Sequence, residues 1–313
     1  MKESEYRFEN VVIDSNGDFM HTLHTGLNNK RPVVLVHGWG GSGMMYYKIL
    51  KPLSEHFRIY AVDLFGKGGS TRPDYWPKNP QEAIQFFVES FEKWRKVMKL
   101  DKFTVVAHSM GAYMMIWHYL KYKRHFDRML LLSPAGITNP PEGFSFKKWY
   151  FEQNIFGKMF YGFNYVTIMS RINFFKYMPS LGPIGIMLIK GYLIKKVKFK
   201  ASSEEELNIY TEYLKKNLQM PESGHRSVFD LFLPRSFPRL PLEDIMKKEM
   251  GDMRIDFIYG ENDWNEWQGA YRYAEKAKAP TKVMLLPKAG HHLMLENPDT
   301  LAEYIVRDLL DQE

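Results

Sequence analysis

The chain has 313 residues, of which 45% are hydrophobic and 25% charged, a composition that allows one large α/β domain with an insertion or two average domains. It contains no cysteine, which excludes disulfides, thiolate metal ligands and a cysteine nucleophile. The net charge is +7, yet residues 141–200 alone hold ten Lys or Arg against two acids, so the positive charge belongs to one segment.

The N-terminus indicates a protein that starts directly in its fold. Residues 1–7 lack the apolar core of a signal peptide, and their two glutamates argue against a mitochondrial presequence. The uncharged run at residues 177–189 is interrupted by prolines and glycines and is well short of the roughly 20 apolar residues of a bilayer span. We expect a cytoplasmic protein that contacts membranes or lipid droplets peripherally; mitochondrial import without a cleavable leader stays open.

The first elements predict a hairpin and then a buried strand. Residues 6–13 and 19–25 alternate in polarity around the turn sequence Ser-Asn-Gly-Asp, which is typical of an antiparallel hairpin. Residues 32–36 form a continuous apolar run, as buried parallel strands do. The run leads into His-Gly-Trp-Gly-Gly at 37–41, a bend whose backbone N–H groups can point at an anion.

Strand and helix patterns then alternate, which predicts a right-handed parallel sheet. The predicted elements are a helix at 43–57, a strand at 58–64, a helix at 80–100 after an Asn79 cap, a strand at 103–108, a helix after Met110 and a strand at 128–133. The glycines of 66–69 invite a phosphate-loop interpretation, which we reject because a loop and not a helix follows them.

The alternation stops after residue 136. Residues 137–250 are aromatic, basic and punctuated by proline, with helical patches such as 203–218 and no strand alternation. The parallel pattern then resumes with a strand at 253–259, a helix at 264–279, a strand at 282–286 and a helix at 298–310. We predict a core formed by residues 1–136 and 251–313, with a helical cap inserted at 137–250.

The centre of the chain is the stretch F-T-V-V-A-H-S-M-G-A-Y at 103–113. The pattern predicts a strand that ends at one serine and is followed by a helix. Ala107 and Gly111 stand two residues to either side of Ser109, where a turn that ejects its central side chain needs little bulk. The stretch therefore predicts an exposed nucleophile, although in isolation the pattern is more typical of an ordinary helix start with a serine N-cap.

A serine nucleophile needs a base and a group that orients the base. Asp263 follows the resumed strand and is the predicted acid, with Glu261 as its nearby rival. His291 follows the last strand and is the predicted base, whereas His292 is displaced by one residue and His108 is expected to be structural. The order Ser, Asp, His is the one this kind of strand-turn-helix site uses.

The remaining requirement is an oxyanion hole. We expect the backbone N–H of Met110 and that of Trp39 to supply it, each worth about 3 kcal/mol in the transition state. A carboxylate nucleophile would need an acid at position 109. The predicted chemistry requires no metal and no cofactor.

These residues resemble one branch of the α/β-hydrolase superfamily, which holds N-acylphospholipid lipases, the comparative-gene-identification-58 lipase co-activator and cardiolipin-specific phospholipases. The similarity is carried by the strand-turn-helix stretch around Ser109, which we call the elbow, and by residues 87–94, 100–103, 132–136, 182–185, 221–224, 239–242 and 258–260. It implies the α/β-hydrolase fold, a mostly parallel central sheet with helices on both faces and a helical cap, and a phospholipid or glycerolipid acyl ester as substrate.

Two departures from the family pattern define the alternatives. Co-activator members carry asparagine at the elbow, whereas this chain has Ser109. Some members are described as lysophosphatidic acid acyltransferases through a His-x4-Asp motif, and here the pattern is His291-x4-Glu296. The sequence thus favours a hydrolase, with a CoA-dependent lysophospholipid acyltransferase and a lipid-binding scaffold with an idle triad as alternatives.

The cap is the predicted membrane-contacting part. Its aromatic residues would rest on lipid and its lysines would attract anionic headgroups; a solvated lysine face over a packed aromatic core is the alternative. We expect no nucleic-acid partner, although aromatic and basic residues together can also bind nucleic acid. The residues in question are Trp149, Tyr150, Phe151, Phe156, Phe160, Tyr161, Phe174, Phe175, Lys195, Lys196, Lys198 and Lys200.

Overall fold

The computed structural model of the chain describes residues 6–140 and 142–311. The prediction for the extreme N-terminus falls largely on residues 1–5, which lie outside this range. The side chains of Phe156 and Phe160, predicted to contact lipid, also lie outside the described part.

Eight strands form one sheet in the order β1-β2-β4-β3-β5-β6-β7-β8. β1 pairs antiparallel with β2 and β2 with β4, and all the other neighbours are parallel. The predicted hairpin and the mostly parallel central sheet are therefore confirmed. The strands are β1 (Tyr6–Val12), β2 (Phe19–Thr25), β3 (Pro32–Val36), β4 (Arg58–Val62), β5 (Phe103–His108), β6 (Phe126–Leu132), β7 (Ile255–Gly260) and β8 (Val283–Leu286).

Helices cover both faces of the sheet. Along β3, Val34 and Val36 pack into the core cluster on one face, whereas Val33 and Leu35 pack into the cluster on the other, as the two-residue period of a strand requires. Both faces are buried, which explains the continuous apolar run. The core helices are α1 (Tyr47–Ser54), α2 (Pro80–Val97), α3 (Met110–Tyr122), α10 (Gln268–Ala274), α11 (Leu293–Glu296) and α12 (Pro298–Leu310).

Between β6 and β7 the described residues contain helices and one isolated bridge, from Phe232 to Pro238. We call residues 137–250 the insertion; its division from the core at these residues stays a prediction. Its α-helices are α4 (Phe146–Glu152), α5 (Ile155–Ser170), α6 (Pro183–Tyr192), α7 (Glu204–Gln219), α8 (Val228–Leu231) and α9 (Glu243–Glu249). Short 3-10 and π turns at Phe174–Leu181, Leu193–Val197, Ser223–Ser227 and Pro234–Ser236 join them.

Two local predictions differ from the structure. The helix predicted at 264–279 is restricted to α10, because the amide of Asn265 donates to the Ser133 carbonyl at 3.1 Å and holds the preceding residues in a loop. The helix predicted at 43–57 begins as a 3-10 turn at Gly43–Tyr46 and ends at Ser54. In both places a contact from outside the segment overrides the local periodicity.

The start of α3 lies against the end of β3 with no room for a side chain. A Cβ at Gly111 would fall 2.9 Å from the Val36 carbonyl oxygen and closer still to that of His37. Both obstacles are backbone atoms of a buried strand, so they cannot move aside. A glycine at this position is what allows the turn at residue 109 to approach the bend after β3.

We predict that Gly111→Ala lowers the free energy of unfolding by about 1 to 3 kcal/mol through this overpacking. Urea denaturation measures the change. The matched control is Gly191→Ala, in α6, where a Cβ meets nothing within 4 Å and alanine should stabilise the helix by roughly 0.5 to 1 kcal/mol. Equal stability of the two variants would contradict the close packing.

Candidate active site

Ser109 occupies a sharp turn between β5 and α3. Its backbone has φ 53° and ψ −120°, a left-handed conformation that costs a non-glycine residue about 1 to 3 kcal/mol. The turn is held on both sides, because the Ser109 N–H donates to the Leu132 carbonyl at 2.9 Å and its carbonyl accepts from the Ala135 N–H at 3.2 Å. The conformation ejects the hydroxyl from the carboxyl edge of the sheet.

The structure brings Ser109, His291 and Asp263 together. His291 Nε2 lies 3.0 Å from Ser109 Oγ, and its Nδ1 lies 3.0 Å from Asp263 Oδ1. Because an ionised carboxylate can only accept, Nδ1 carries the proton of the neutral ring and Nε2 is left to accept from the serine hydroxyl. This is the tautomer that a general base at Nε2 requires.

Asp263 stays ionised although its side chain is fully buried. Burial by itself raises the pKa of this carboxyl, but the neighbouring His291 ring and the N–H of Asn265, which donates to Oδ1 at 2.9 Å, hold the pKa below its usual range. The negative charge is therefore available to stabilise an imidazolium at His291.

Several neighbouring residues contact His291 and fix its position. His108 Nε2 donates to the His291 carbonyl at 2.8 Å, and the Trp264 ring stacks on the His291 ring at 4.3 Å between centroids. The Glu296 carboxylate accepts from the N–H of Gly290 at 2.5 Å and from that of His292 at 2.9 Å. The residues directly before and after His291 are thus hydrogen-bonded to α11, the short helix that follows them.

The rival residues lie elsewhere. Glu261 accepts from the N–H of Lys288 at 3.3 Å, away from the imidazole of His291. His292 is half-buried, and its Nδ1 has no hydrogen-bond partner among the described residues. His108 contacts the base and not the serine hydroxyl, in keeping with the structural role expected for it.

The predicted oxyanion groups border the same turn. Met110 is the first residue of α3, so its N–H has no intrahelical acceptor. The bend that carries Trp39 presses on the elbow, since a Cβ at Gly38 would fall 2.9 Å from the Ser109 Cβ. The Trp39 indole donates to the His225 carbonyl at 3.1 Å, which turns the side chain toward the insertion. Their role as oxyanion donors stays a prediction.

His37 fixes the start of this bend. Its Nε2 accepts from the Leu64 N–H at 3.0 Å, so Nδ1 carries the proton and donates to the Gly38 carbonyl at 2.7 Å. Burial lowers the pKa of His37 to about 3. The ring is therefore a neutral connector between the ends of β3 and β4.

Three of these supports were not predicted from the sequence. The stacking of Trp264 and the contact of Trp39 with His225 join segments distant in the chain, whereas the Glu296 carboxylate binds N–H groups four and six residues before it. Trp264 and Glu296 stand in the motifs that predicted the acid and the base, so nearness to those motifs was the only signal. His225 lies 186 positions from Trp39, and no signal in the sequence indicated their contact.

Within residues 6–140 and 142–311, no three histidine or carboxylate side chains converge as a metal ion would require. In the same part of the chain, no helix is both long enough and apolar enough to cross a membrane.

Comparison with protein families and curated proteins relates most of the chain to known proteins. Residues 31–166 match the family model of the alpha/beta hydrolase fold. A rice protein named probable 1-acylglycerol-3-phosphate O-acyltransferase is 30% identical over 289 residues, which are 90% of this chain and 67% of that protein. The human 1-acylglycerol-3-phosphate O-acyltransferase ABHD5 is 29% identical over 304 residues, 94% of this chain and 82% of that protein.

An Arabidopsis thaliana protein named 1-acylglycerol-3-phosphate O-acyltransferase is 30% identical, and this chain spans 63% of its length. Solved structures share the fold: Cfl2 from Burkholderia cenocepacia has a TM-score of 0.69 at 18% identity, covering 97% of this chain and 95% of that chain. Carboxylesterase CesB from Bacillus subtilis has a TM-score of 0.67 at 17% identity, covering 99% of this chain and 93% of that chain.

The buried histidines make the stability depend on pH. Burial, and then the nearby charge of His291, lower the pKa of His108 to about 3, against 6.5 for an exposed ring. Between these values the unfolded chain binds a proton that the folded chain does not. The free energy of unfolding therefore falls as the pH drops below 6.5, by up to about 1.4 kcal/mol per pH unit for this ring.

We predict that His108→Gln flattens this dependence, because glutamine can still donate to the His291 carbonyl but does not titrate. Urea unfolding of both proteins at several pH values from 7 to 4.5 measures the two slopes, and their difference removes the contribution of all other groups. His56→Gln, at an exposed site in the turn after α1, is the control and should keep the wild-type slope. A His108→Gln slope equal to that of wild type would contradict the neutral buried ring.

Proposed function

We propose that this chain, which belongs to the α/β-hydrolase family, is a serine hydrolase that cleaves acyl esters of phospholipids or related glycerolipids. One observation carries the proposal: the continuous hydrogen-bonded path from Ser109 Oγ through His291 to Asp263, with 3.0 Å at each step. The path begins at a strained turn on the carboxyl edge of the sheet, where a reacting ester can reach the serine.

The geometry supports acyl transfer through an acyl-enzyme. Ser109 Oγ attacks the ester carbonyl as His291 Nε2 takes the hydroxyl proton, and Asp263 stabilises the imidazolium. The N–H groups of Met110 and Trp39 would bind the oxyanion of the tetrahedral intermediate. The imidazolium then protonates the leaving alcohol, and a water activated by the same nitrogen releases the fatty acid.

A lipid substrate is supported by the relatives and by the surface of the insertion. The rice, Arabidopsis and human relatives are all named for an acylglycerol phosphate. Residues 151–194 of the insertion carry a set of exposed large hydrophobic side chains, and a concentration of such side chains on a surface favours a lipid or protein contact. Its members are Phe151, Ile155, Met159, Phe163, Tyr165, Val166, Met169, Ile172, Tyr177, Leu181, Ile184, Met187, Leu188, Tyr192 and Ile194; we call them the apolar face.

Basic side chains border the apolar face and favour an anionic lipid surface. Lys195 and Lys198 are exposed in the turn that follows α6. Lys200, also predicted to attract headgroups, instead forms an ion pair with Asp299 at 2.7 Å, so it contributes less. Peripheral binding to a membrane or a lipid droplet is the arrangement we propose.

Acyl transfer is the second candidate, and the names of the relatives favour it. The same acyl-enzyme would then react with the hydroxyl of a lysophospholipid in place of water, with acyl-CoA as the donor. Glu296, which aligns with the acid of the acyltransferase motif, is engaged by the N–H groups of Gly290 and His292. This engagement favours a role in holding His291 over one in proton transfer.

We predict that Ser109→Ala abolishes fatty-acid release from phospholipid vesicles and that Asp263→Asn lowers kcat by about 10⁴, because the asparagine amide imposes the wrong imidazole tautomer. Chromatography of the released fatty acids over a panel of headgroups measures both effects. Ser202→Ala, at an exposed turn, is the control and should keep full activity.

The same assay separates the alternatives. If product forms only when acyl-CoA and a lysophospholipid are supplied, the chain is an acyltransferase. If vesicles are bound but no lipid is turned over, and Ser109 resists a phosphonate probe, the triad is idle and the hydrolase proposal is wrong.

Membrane binding gives an independent prediction. Replacing Lys195 and Lys198 by Gln should weaken binding to anionic vesicles by about 1 kcal/mol per lysine and leave binding to neutral vesicles unchanged. Vesicle sedimentation at low and high salt measures the effect, with Lys276→Gln and Lys278→Gln on the core as the control pair. Binding that is insensitive both to salt and to the lysine changes would exclude the electrostatic contribution.

A further inference from the structure

A cavity lies where the insertion meets the N-terminus of α2. Its volume is about 290 Å³, enough for a phosphate group with part of the ester that bears it. It is separate from the Ser109 turn, and the mechanism above does not use it. The lining residues come from the segment before α2, from the end of α5, from α8 and from the chain before α9: Lys78, Asn79, Pro80, Ile168, Met169, Arg171, Phe229, Asp230 and Arg239.

The cavity carries more positive than negative charge. Three lining side chains are cationic and one, Asp230, is acidic. Arg171 already pairs with Asp230 at 2.7 Å and also donates to the Pro77 carbonyl at 2.9 Å. Lys78 and Arg239 are exposed and form no ion pair within the described part of the chain, so two positive charges remain available to a ligand.

The N-terminus of α2 lies at the cavity and adds to its positive electrostatic potential. α2 is 18 residues long and presents its N-terminus there, with Asn79 as its cap and Pro80 at its first position. Such an end favours anions. The acid nearby is Glu82, but its carboxylate accepts from the Lys78 N–H at 3.0 Å and from the Asn79 amide at 3.2 Å. These bonds hold the Glu82 carboxylate on the cap, where its negative charge offsets part of this effect.

The apolar wall of the cavity leads to the lipid-facing side of the molecule. Ile168, Met169 and Phe229 form this wall. Met169 is 54% exposed and belongs to the apolar face as well as to the cavity. A group held at Arg239 would therefore lie at the edge of the surface on which lipid chains rest.

The cavity is also linked to the elbow. Leu240, the residue after Arg239, accepts from the Tyr113 hydroxyl at 2.8 Å, and Tyr113 lies one helical turn after Ser109. The Arg239 segment is thus anchored to the helix that carries the serine.

We propose that this cavity binds the phosphate group of an anionic phospholipid or lysophospholipid through Lys78, Arg171 and Arg239. Two parallel N–H donors of a guanidinium match two phosphate oxygens, and the lysine supplies a further charge-assisted bond. The inference rests on the proposed function only for the lipid as the source of the phosphate. A soluble phosphate monoester has the same chemistry and would use the same groups.

Binding is tested without turnover, in full-length protein carrying Ser109→Ala. The soluble probe is sn-glycerol 3-phosphate, measured by calorimetry. The lipid probe is a phosphatidylcholine vesicle with or without phosphatidic acid, measured by flotation. Lys78→Gln combined with Arg239→Gln should weaken phosphate-dependent binding by about tenfold or more.

The matched control combines Arg124→Gln with Lys278→Gln, two exposed cations outside the cavity lining. It removes the same net charge and should leave binding unchanged. Asp230→Asn is the reciprocal variant: it removes the one lining carboxylate and should strengthen binding several-fold, provided that its thermal unfolding shows an intact fold.

The outcomes distinguish a lipid headgroup from a soluble phosphate ester, and they distinguish the cavity proposal from the hydrolase proposal. Recognition of phosphatidic acid vesicles alone identifies a headgroup presented by a membrane, and recognition of both probes adds soluble esters; either supports the site. Equal weakening in the cavity variant and in the control overturns it, as does indifference of both probes to phosphate. Because fatty-acid release by the wild type is a separate measurement, failure of the hydrolase proposal would be visible independently.

Discussion

The strained turn at Ser109 is the constraint on which the rest of the site depends. Its left-handed backbone persists because two neighbouring backbones press on it: Gly111 lets α3 approach the end of β3, and Gly38 lets the following bend touch the serine. The strain of about 1 to 3 kcal/mol is offset by the buried sheet around it. An exposed hydroxyl, the free N–H at the start of α3 and the bend after β3 all follow from this one approach.

Burial also decides which groups near the serine carry charge. His37 and His108 are held neutral, each in a single tautomer imposed by the backbone group that it bonds. Neither ring competes with His291 for the serine proton or for the carboxylate. Asp263 is then the ionised group bonded to His291, and because both side chains are buried, its attraction for a transient imidazolium is stronger than in solution.

The sheet and the insertion contribute different features: the sheet positions the three side chains of the candidate site, and the insertion supplies apolar and basic surface. The sheet places Ser109, His291 and Asp263, from three separate strand ends, at one edge, as parallel strands allow. The insertion adds an apolar face, basic residues along its border and a cationic cavity beside α2. Trp39 joins the two through its bond to the His225 carbonyl. The proposed lipid recognition and the proposed acyl chemistry therefore depend on different residues.

The amino-acid sequence by itself determined the features that depend on near neighbours or on chain order. These are the two-residue and continuous strand patterns, the Asn79 cap, the small residues around Ser109 and the order of the serine, the acid and the base. Only the tertiary structure decided that Asp263 and not Glu261 meets His291, that α10 is shorter than its periodicity suggests, and that a cationic cavity exists. Each of these results from packing between segments distant in the chain, whose approach is set by the whole fold and leaves no local pattern.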